Sequence, residues 1–136
     1  MKKEFSKQWK ASTQPRKQRK YLAKAPLHIR KKFVGVNLSK ELRTKHKIRT
    51  IGIRKGDIVK ILRGKFKGKK GKITMVKLKK RKVTIENIQV KKMDGSKVDV
   101  LLQPSNLQIV ELYLEDRKRK INAQIAKGEK NAPEKK

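Results

Sequence analysis

Cysteine is absent from this 136-residue sequence, which removes a disulfide framework, a thiolate metal site and a thiol nucleophile together. Histidine is nearly absent: His28 and His46 are the only two. Neither has a carboxylate pair close to it in sequence, and the further ligands that a zinc site needs are missing. No apolar run approaches the ~18 residues that cross a bilayer. Met1-Lys2-Lys3-Glu4-Phe5 has no apolar stretch behind it, as a secretory signal would. Acidic residues are scarce, 11 against 42 Lys plus Arg, and the formal net charge is +31. Apolar residues make up 35% and charged ones 39%, enough for one compact core but not for a core spanning the chain. The length allows one small domain with appendages. Charge of this size opposes compaction, so parts of the chain are expected to order only against a polyanion. The expectation is an intracellular, soluble partner of something strongly negative.

Composition divides the chain in three. Residues 1–52 form a basic N-terminal extension, with 17 basic and 2 acidic residues. Residues 53–114 hold 25 apolar residues, of which 14 are Val or Ile, as strands require. Residues 115–136 read as a C-terminal helix and a frayed tail, with Glu115 and Asp116 complementing the helix start and Ile121 and Ile125 one turn apart.

Within 53–114, Asp57 to Leu62 and Lys72 to Leu78 read as strands separated by the glycines at 64, 68 and 71. Lys79 to Lys82 suits a hairpin tip, and Val83 to Ile85 resumes the strand. The apolar register switches at Ile88 and Val90, which predicts a bulge or bend near Glu86-Asn87. Asp94-Gly95 predicts a type I′ hairpin. Val98, Val100 and Leu102 form one face of a further strand, which Pro104 ends. Leu107 to Leu112 closes the set. About five short strands suggest a small barrel, because closure removes exposed edges. In the extension, residues 1–25 lack any period and read as an extended arm. Pro26 is placed to start a helix over 27–33. Ser39 is placed to cap a helix over 40–47, with Glu41 in its first turn.

The stretch from Lys55 to Ile73 carries the most chemistry. A strand runs into a loop rich in glycine and lysine, then into another strand. Glycine lets backbone N–H groups approach phosphates, and lysine supplies the countercharge. The spacing is not that of a P-loop, because three residues separate Gly64 from Gly68 and Lys69-Lys70 follows. No dinucleotide-type glycine trio exists either, and no cofactor is expected. The same glycines equally permit a tight, solvated loop; the charge elsewhere favours phosphate. Phe5, Trp9, Tyr21 and Phe33, interleaved with Lys and Arg, could stack on bases or anchor the extension to the domain. Phe66 is either a plug of the barrel or an RNA contact.

Lys55 to Ile73 resembles the KOW motif of ribosomal proteins and of transcription elongation factors. Ala25-Pro26-Leu27-His28-Ile29-Arg30-Lys31-Lys32, Leu38-Ser39-Lys40-Glu41-Leu42-Arg43, Ile48 to Asp57, Pro104-Ser105-Asn106-Leu107 and Leu114 to Lys120 are similar to further segments of one family. Together they resemble the archaeal and eukaryotic form of large-subunit ribosomal protein twenty-four, called twenty-six in eukaryotes, over roughly residues 12–120. The resemblance implies a mainly β fold with an SH3-like (KOW) barrel at 53–114. It also implies a structural, non-enzymatic place in the cytoplasmic ribosome. There the chain would bind the 5′ domain of large-subunit rRNA near the peptide exit tunnel and support assembly.

The expected rRNA contacts in the extension are Arg16, Lys17, Arg19, Lys20, His28, Arg30, Lys31, Lys32 and Arg49. From the domain they are Arg54, Lys55, Arg63, Lys65, Phe66, Lys67, Lys69, Lys70, Lys72, Lys79, Lys80, Arg81 and Lys82. Gly56, Gly64, Gly68 and Gly71 shape the loop. The expected partners are large-subunit rRNA and neighbouring ribosomal proteins, with no membrane, no small-molecule substrate and no homo-oligomer. A KOW-type transcription or translation factor is the alternative, but such factors carry a second, less basic domain. A third reading is a cationic protein that coats nucleic acid or membrane without a preferred site.

Overall fold

A computed structural model describes residues 5–6, 12–116 and 119. Within residues 1–25, which read as an extended arm, Pro15–Lys24 instead form a helix, α1. Proline at the first helical position is pre-set for the turn, and Arg, Lys, Gln, Leu and Ala are good helix formers. No residue of α1 is buried, which explains the missing apolar period. One aromatic line fastens it: Tyr21 lies 4.8 Å from Phe5 and 5.9 Å from Phe33 between ring centroids. These three rings are anchors to one another; Trp9 lies outside the described residues.

The helix expected over 27–33 is shorter. Pro26 caps it at an extended ψ of 160°, α2 covers Leu27–Arg30, and a 3-10 turn covers Lys31–Val34. The tighter turn brings Val34 into the core at 1% exposure, where the chain must straighten into a strand. Ser39 caps α3, Lys40–His46, as its sequence predicts, its hydroxyl accepting from Leu42 N–H. Lys47 ends α3 in the left-handed region, and His46 is buried while His28 is exposed.

Eight strands are present among the described residues: β1 Gly35–Leu38, β2 Thr50–Gly52, β3 Ile58–Ile61, β4 Lys70–Lys77, β5 Lys82–Ile85, β6 Gln89–Lys91, β7 Lys97–Asp99 and β8 Leu107–Glu111. Six form one mixed sheet in the order β2-β1-β8-β3-β4-β5, and β6-β7 stand apart as a hairpin. The pairing is antiparallel except between β1 and β8. β1 and β2 precede residue 53, and Val34, Val36 and Leu38 from that region join the core. Ile61 pairs with Leu107, Val59 and Leu38 each with Ile109, and Ile73 with Ile85, so the strands are zipped by aliphatic rows. A single bridge from Val83 to Leu102 covers the outer side of β5. The fold is therefore mainly β with a few short helices.

Two turns differ in detail. A bend at Glu86-Asn87 lies where the register switch puts it, with Asn87 at φ 61°; the chain runs antiparallel to 97–102 on both sides of it, at Val83 and at Ile88 to Lys91. At Asp94-Gly95 only Gly95 has positive φ, at 85°, so the turn is not type I′. Lys92 N–H bonds to Ser96 O across a three-residue loop, and Asp94 Oδ1 accepts from Ser96 N–H and Oγ–H. An aspartate that can fold back on its own turn stays right-handed and leaves the left-handed position to glycine. The expected C-terminal helix falls on residues outside the described ones, Arg119 excepted.

Candidate nucleic-acid interface

Beyond β3 the backbone needs conformations that glycine alone takes without strain, and Gly64 and Gly68 supply them at φ 92° and 89°. Lys67 N–H donates to Gly64 O at 3.0 Å and Gly68 N–H to Ile61 O at 2.8 Å, closing a compact loop. Phe66 turns inward and packs against the core, with Lys69 Nζ 5.6 Å from its ring centroid. With the aromatic inside, Arg63, Lys65, Lys67, Lys69 and Lys70 are left exposed. Gly71 does not break the chain as its place in the glycine series suggests. It lies within β4, where a Cβ would meet Ile85 Cγ2 at 2.6 Å and Glu86 O at 3.0 Å. The glycine is there for the close approach of β4 to the β5 turn.

The other expected contacts divide by what already holds them. Arg16, Lys17, Arg19 and Lys20 are exposed along α1, and His28, Lys31, Lys32 and Arg49 are exposed on the extension. Lys79 and Lys80 are exposed at the β4-β5 tip, whereas Arg81 and Lys82 are half-buried. Arg30 turns its guanidinium to the backbone: it donates to Ala25 O at 2.6 Å, to Lys79 O at 3.1 Å and to Ala23 O. It ties α1 and α2 to the hairpin tip. Arg54 is half-buried and paired with Asp116.

Sequence reasoning missed the most buried charges. Asp57, 0% exposed, accepts from Arg54 N–H at 2.9 Å and from Tyr113 N–H at 3.0 Å. Arg119, 2% exposed, grips both of its oxygens at 2.6 and 3.0 Å and also donates to Tyr113 O and Gly52 O. A bidentate pair in which each carboxylate oxygen accepts two hydrogen bonds is the geometry in which buried charge is tolerated. One signal was available: Asp57 is the only acidic residue between Glu41 and Glu86. Arg119 carries no such signal within the run Arg117-Lys118-Arg119-Lys120.

Next to this clasp lies an open groove of about 650 Å³, lined by Lys55, Gly56, Lys72, Ile73, Thr74, Glu86 and Tyr113. Gly56, at φ 94°, would bring a Cβ within 3.0 Å of the Tyr113 ring. The Tyr113 hydroxyl donates to Glu115, which raises its pKa above the ordinary tyrosine value.

Strand register adds the strongest electrostatic observation. Lys60 stands opposite Lys70, Lys77 opposite Lys82 and Lys91 opposite Lys97. Like charges directly across a ladder destabilise a sheet. Three such pairs set lysine against lysine, while Asp57 and Asp116 are already engaged by arginines.

The family model for ribosomal proteins L26 of eukaryotes and L24 of archaea matches residues 12–124. The large ribosomal subunit protein uL24 of Korarchaeum cryptofilum is 44% identical over 109 residues, covering 80% of this chain and 83% of that protein. The protein of the same name from Methanosphaera stadtmanae is 45% identical over 108 residues, covering 79% and 92%. The chain belongs to this ribosomal protein family, eukaryotic L26 and archaeal L24. The matched span takes in α1, the glycine loop, the groove and both partners of the Asp57–Arg119 clasp.

Proposed function

We propose that this chain is a structural constituent of the large ribosomal subunit and acts by binding rRNA. Family membership makes it a ribosomal protein, working in translation within the cytoplasmic ribosome. The observation that carries RNA binding is the set of facing lysine pairs together with the exposed loop lysines, a charge pattern that phosphates complete. In this reading residues 53–114, which supply β3, β4, β5 and β8 of the sheet, form an SH3-like barrel of the KOW type, flanked by the basic extension, which adds β1 and β2, and by a C-terminal helix. Its loop and hairpin cations reach the 5′ domain of large-subunit rRNA near the exit tunnel. α1 with Arg16, Lys17, Arg19 and Lys20 lies along RNA, and the contacts support subunit assembly. Recognition is by shape, phosphate and 2′-hydroxyl. The chain works alongside neighbouring ribosomal proteins, as a monomer and without catalysis.

Co-sedimentation checks this. The chain should stay with large subunits through a high-salt wash, and footprinting should protect a defined rRNA region. Recovery only in ribosome-free fractions would overturn the proposal, and uniform protection along the rRNA would favour a cationic coat without a preferred site.

A further inference from the structure

The open groove beside Gly56 has a chemistry that phosphate neutralisation alone does not need. Its walls are fixed by main chain: Gly56 N–H donates to Ile73 O at 3.0 Å, and Glu86 N–H to Lys72 O at 2.9 Å. Tyr113 is 38% exposed, its backbone N–H is held by Asp57, and its hydroxyl is held by Glu115. An aromatic ring fixed at both ends is a ready platform for stacking. Lys55 and Lys72 are exposed on the same groove, and neither forms an ion pair among the described residues. Glu86 is the odd member: a carboxylate on a surface otherwise built to attract phosphate. A groove of this volume falls in the range that takes a small organic ligand.

We infer that this groove receives one unstacked guanine nucleotide of a bound RNA, the base on Tyr113, its Watson–Crick edge on Glu86, and its phosphate between Lys55 and Lys72. The inference rests on the RNA-binding reading above and adds a base preference to it. Guanine presents two adjacent donors, N1–H and the N2 amino group, which match the two oxygens of one carboxylate. Adenine, cytosine and uracil each place an acceptor beside their donor. Unpaired bases are the ones that proteins read by stacking and edge hydrogen bonds. Gly56 lets Tyr113 lie against the backbone, since any side chain there would push the ring out.

The test measures affinity of the full chain for three RNA hairpins that differ at one position: a bulged guanosine, a bulged adenosine, or full pairing. The adenosine hairpin controls for the kink and for stacking. Stacking should tighten the bulged hairpins over the paired one by about tenfold, and guanosine should exceed adenosine by about another tenfold. Tyr113→Leu should bring the bulged-to-paired ratio to about one. Glu86→Gln should erase the guanosine-over-adenosine preference while keeping the stacking gain. Equal affinity for all three hairpins would overturn the groove and leave RNA binding standing. Loss of binding to all three would sink the RNA reading itself. Free guanosine monophosphate is the remaining arm. Millimolar competition against the bulged hairpin supports an RNA-borne base, whereas tight binding of the mononucleotide with no gain from the bulge overturns it.

Discussion

Gly71 has no room for a methyl group, and this makes it the sharpest residue-level test of the fold. A Cβ would sit 2.6 Å from Ile85 Cγ2 and 3.0 Å from a backbone oxygen, so β4 and the β5 turn must separate. Gly71→Ala should therefore cost ~1–3 kcal/mol, read as a lower denaturant midpoint with an unchanged slope. Tyr113 offers a titration instead. Its hydrogen bond to Glu115 raises the folded pKa, so the neutral phenol's contribution is full below the ordinary value of about 10. It is lost as pH rises through the raised folded value. Absorbance at alkaline pH should show one tyrosine ionising late in the folded protein, and Glu115→Ala should move it back. Neither site is fully legible in the sequence. A glycine in a series of three looks like its neighbours, because close approach of another strand leaves no mark in local composition. Gly64 and Gly68 were legible, since their need is for φ, a local quantity.

At the scale of elements, α1 shows why a charged helix escapes pattern reading. Periodicity reports burial, and α1 buries nothing; it is held by ring contacts of Tyr21 and by Arg30 on backbone carbonyls. Tyr21→Ala should raise hydrogen exchange across Pro15–Lys24 sharply while global melting barely moves, because little of the core is touched. Equal protection in the variant would mean that the rings do not fasten the helix. The strands from β3 onward were readable for the opposite reason: Val59 with Ile61 and Leu107 with Ile109 alternate inward, and alternation is visible in one dimension. β1 and β2, inside the basic extension, were not. Their place depends on a parallel partner, β8, some 70 positions away, and no local signal encodes that.

At the scale of the whole molecule, charge acts with two signs. Within the free protein, the facing pairs Lys60–Lys70, Lys77–Lys82 and Lys91–Lys97 repel, so added salt should raise the melting temperature by a few degrees through screening. Against RNA the same salt should weaken binding steeply, with the logarithm of affinity falling linearly against that of salt concentration. Replacing Lys65, Lys67 or Lys69 by Gln should flatten that slope by about one for each phosphate no longer neutralised. A slope insensitive to all three would move the interface off the loop. The Asp57–Arg119 clasp adds a matter of timing. Its partners are 62 residues apart, so the carboxylate at the entry to β3 waits for a cation that synthesis delivers much later. A chain that ends before residue 119 folds around an anion with no cation, a defect of ~3–5 kcal/mol. Truncation after Asp116 should thus lower stability as much as Asp57→Ala does, measured by chemical denaturation. The clasp makes the full stability of the sheet conditional on synthesis through residue 119, well after its last strand has been made.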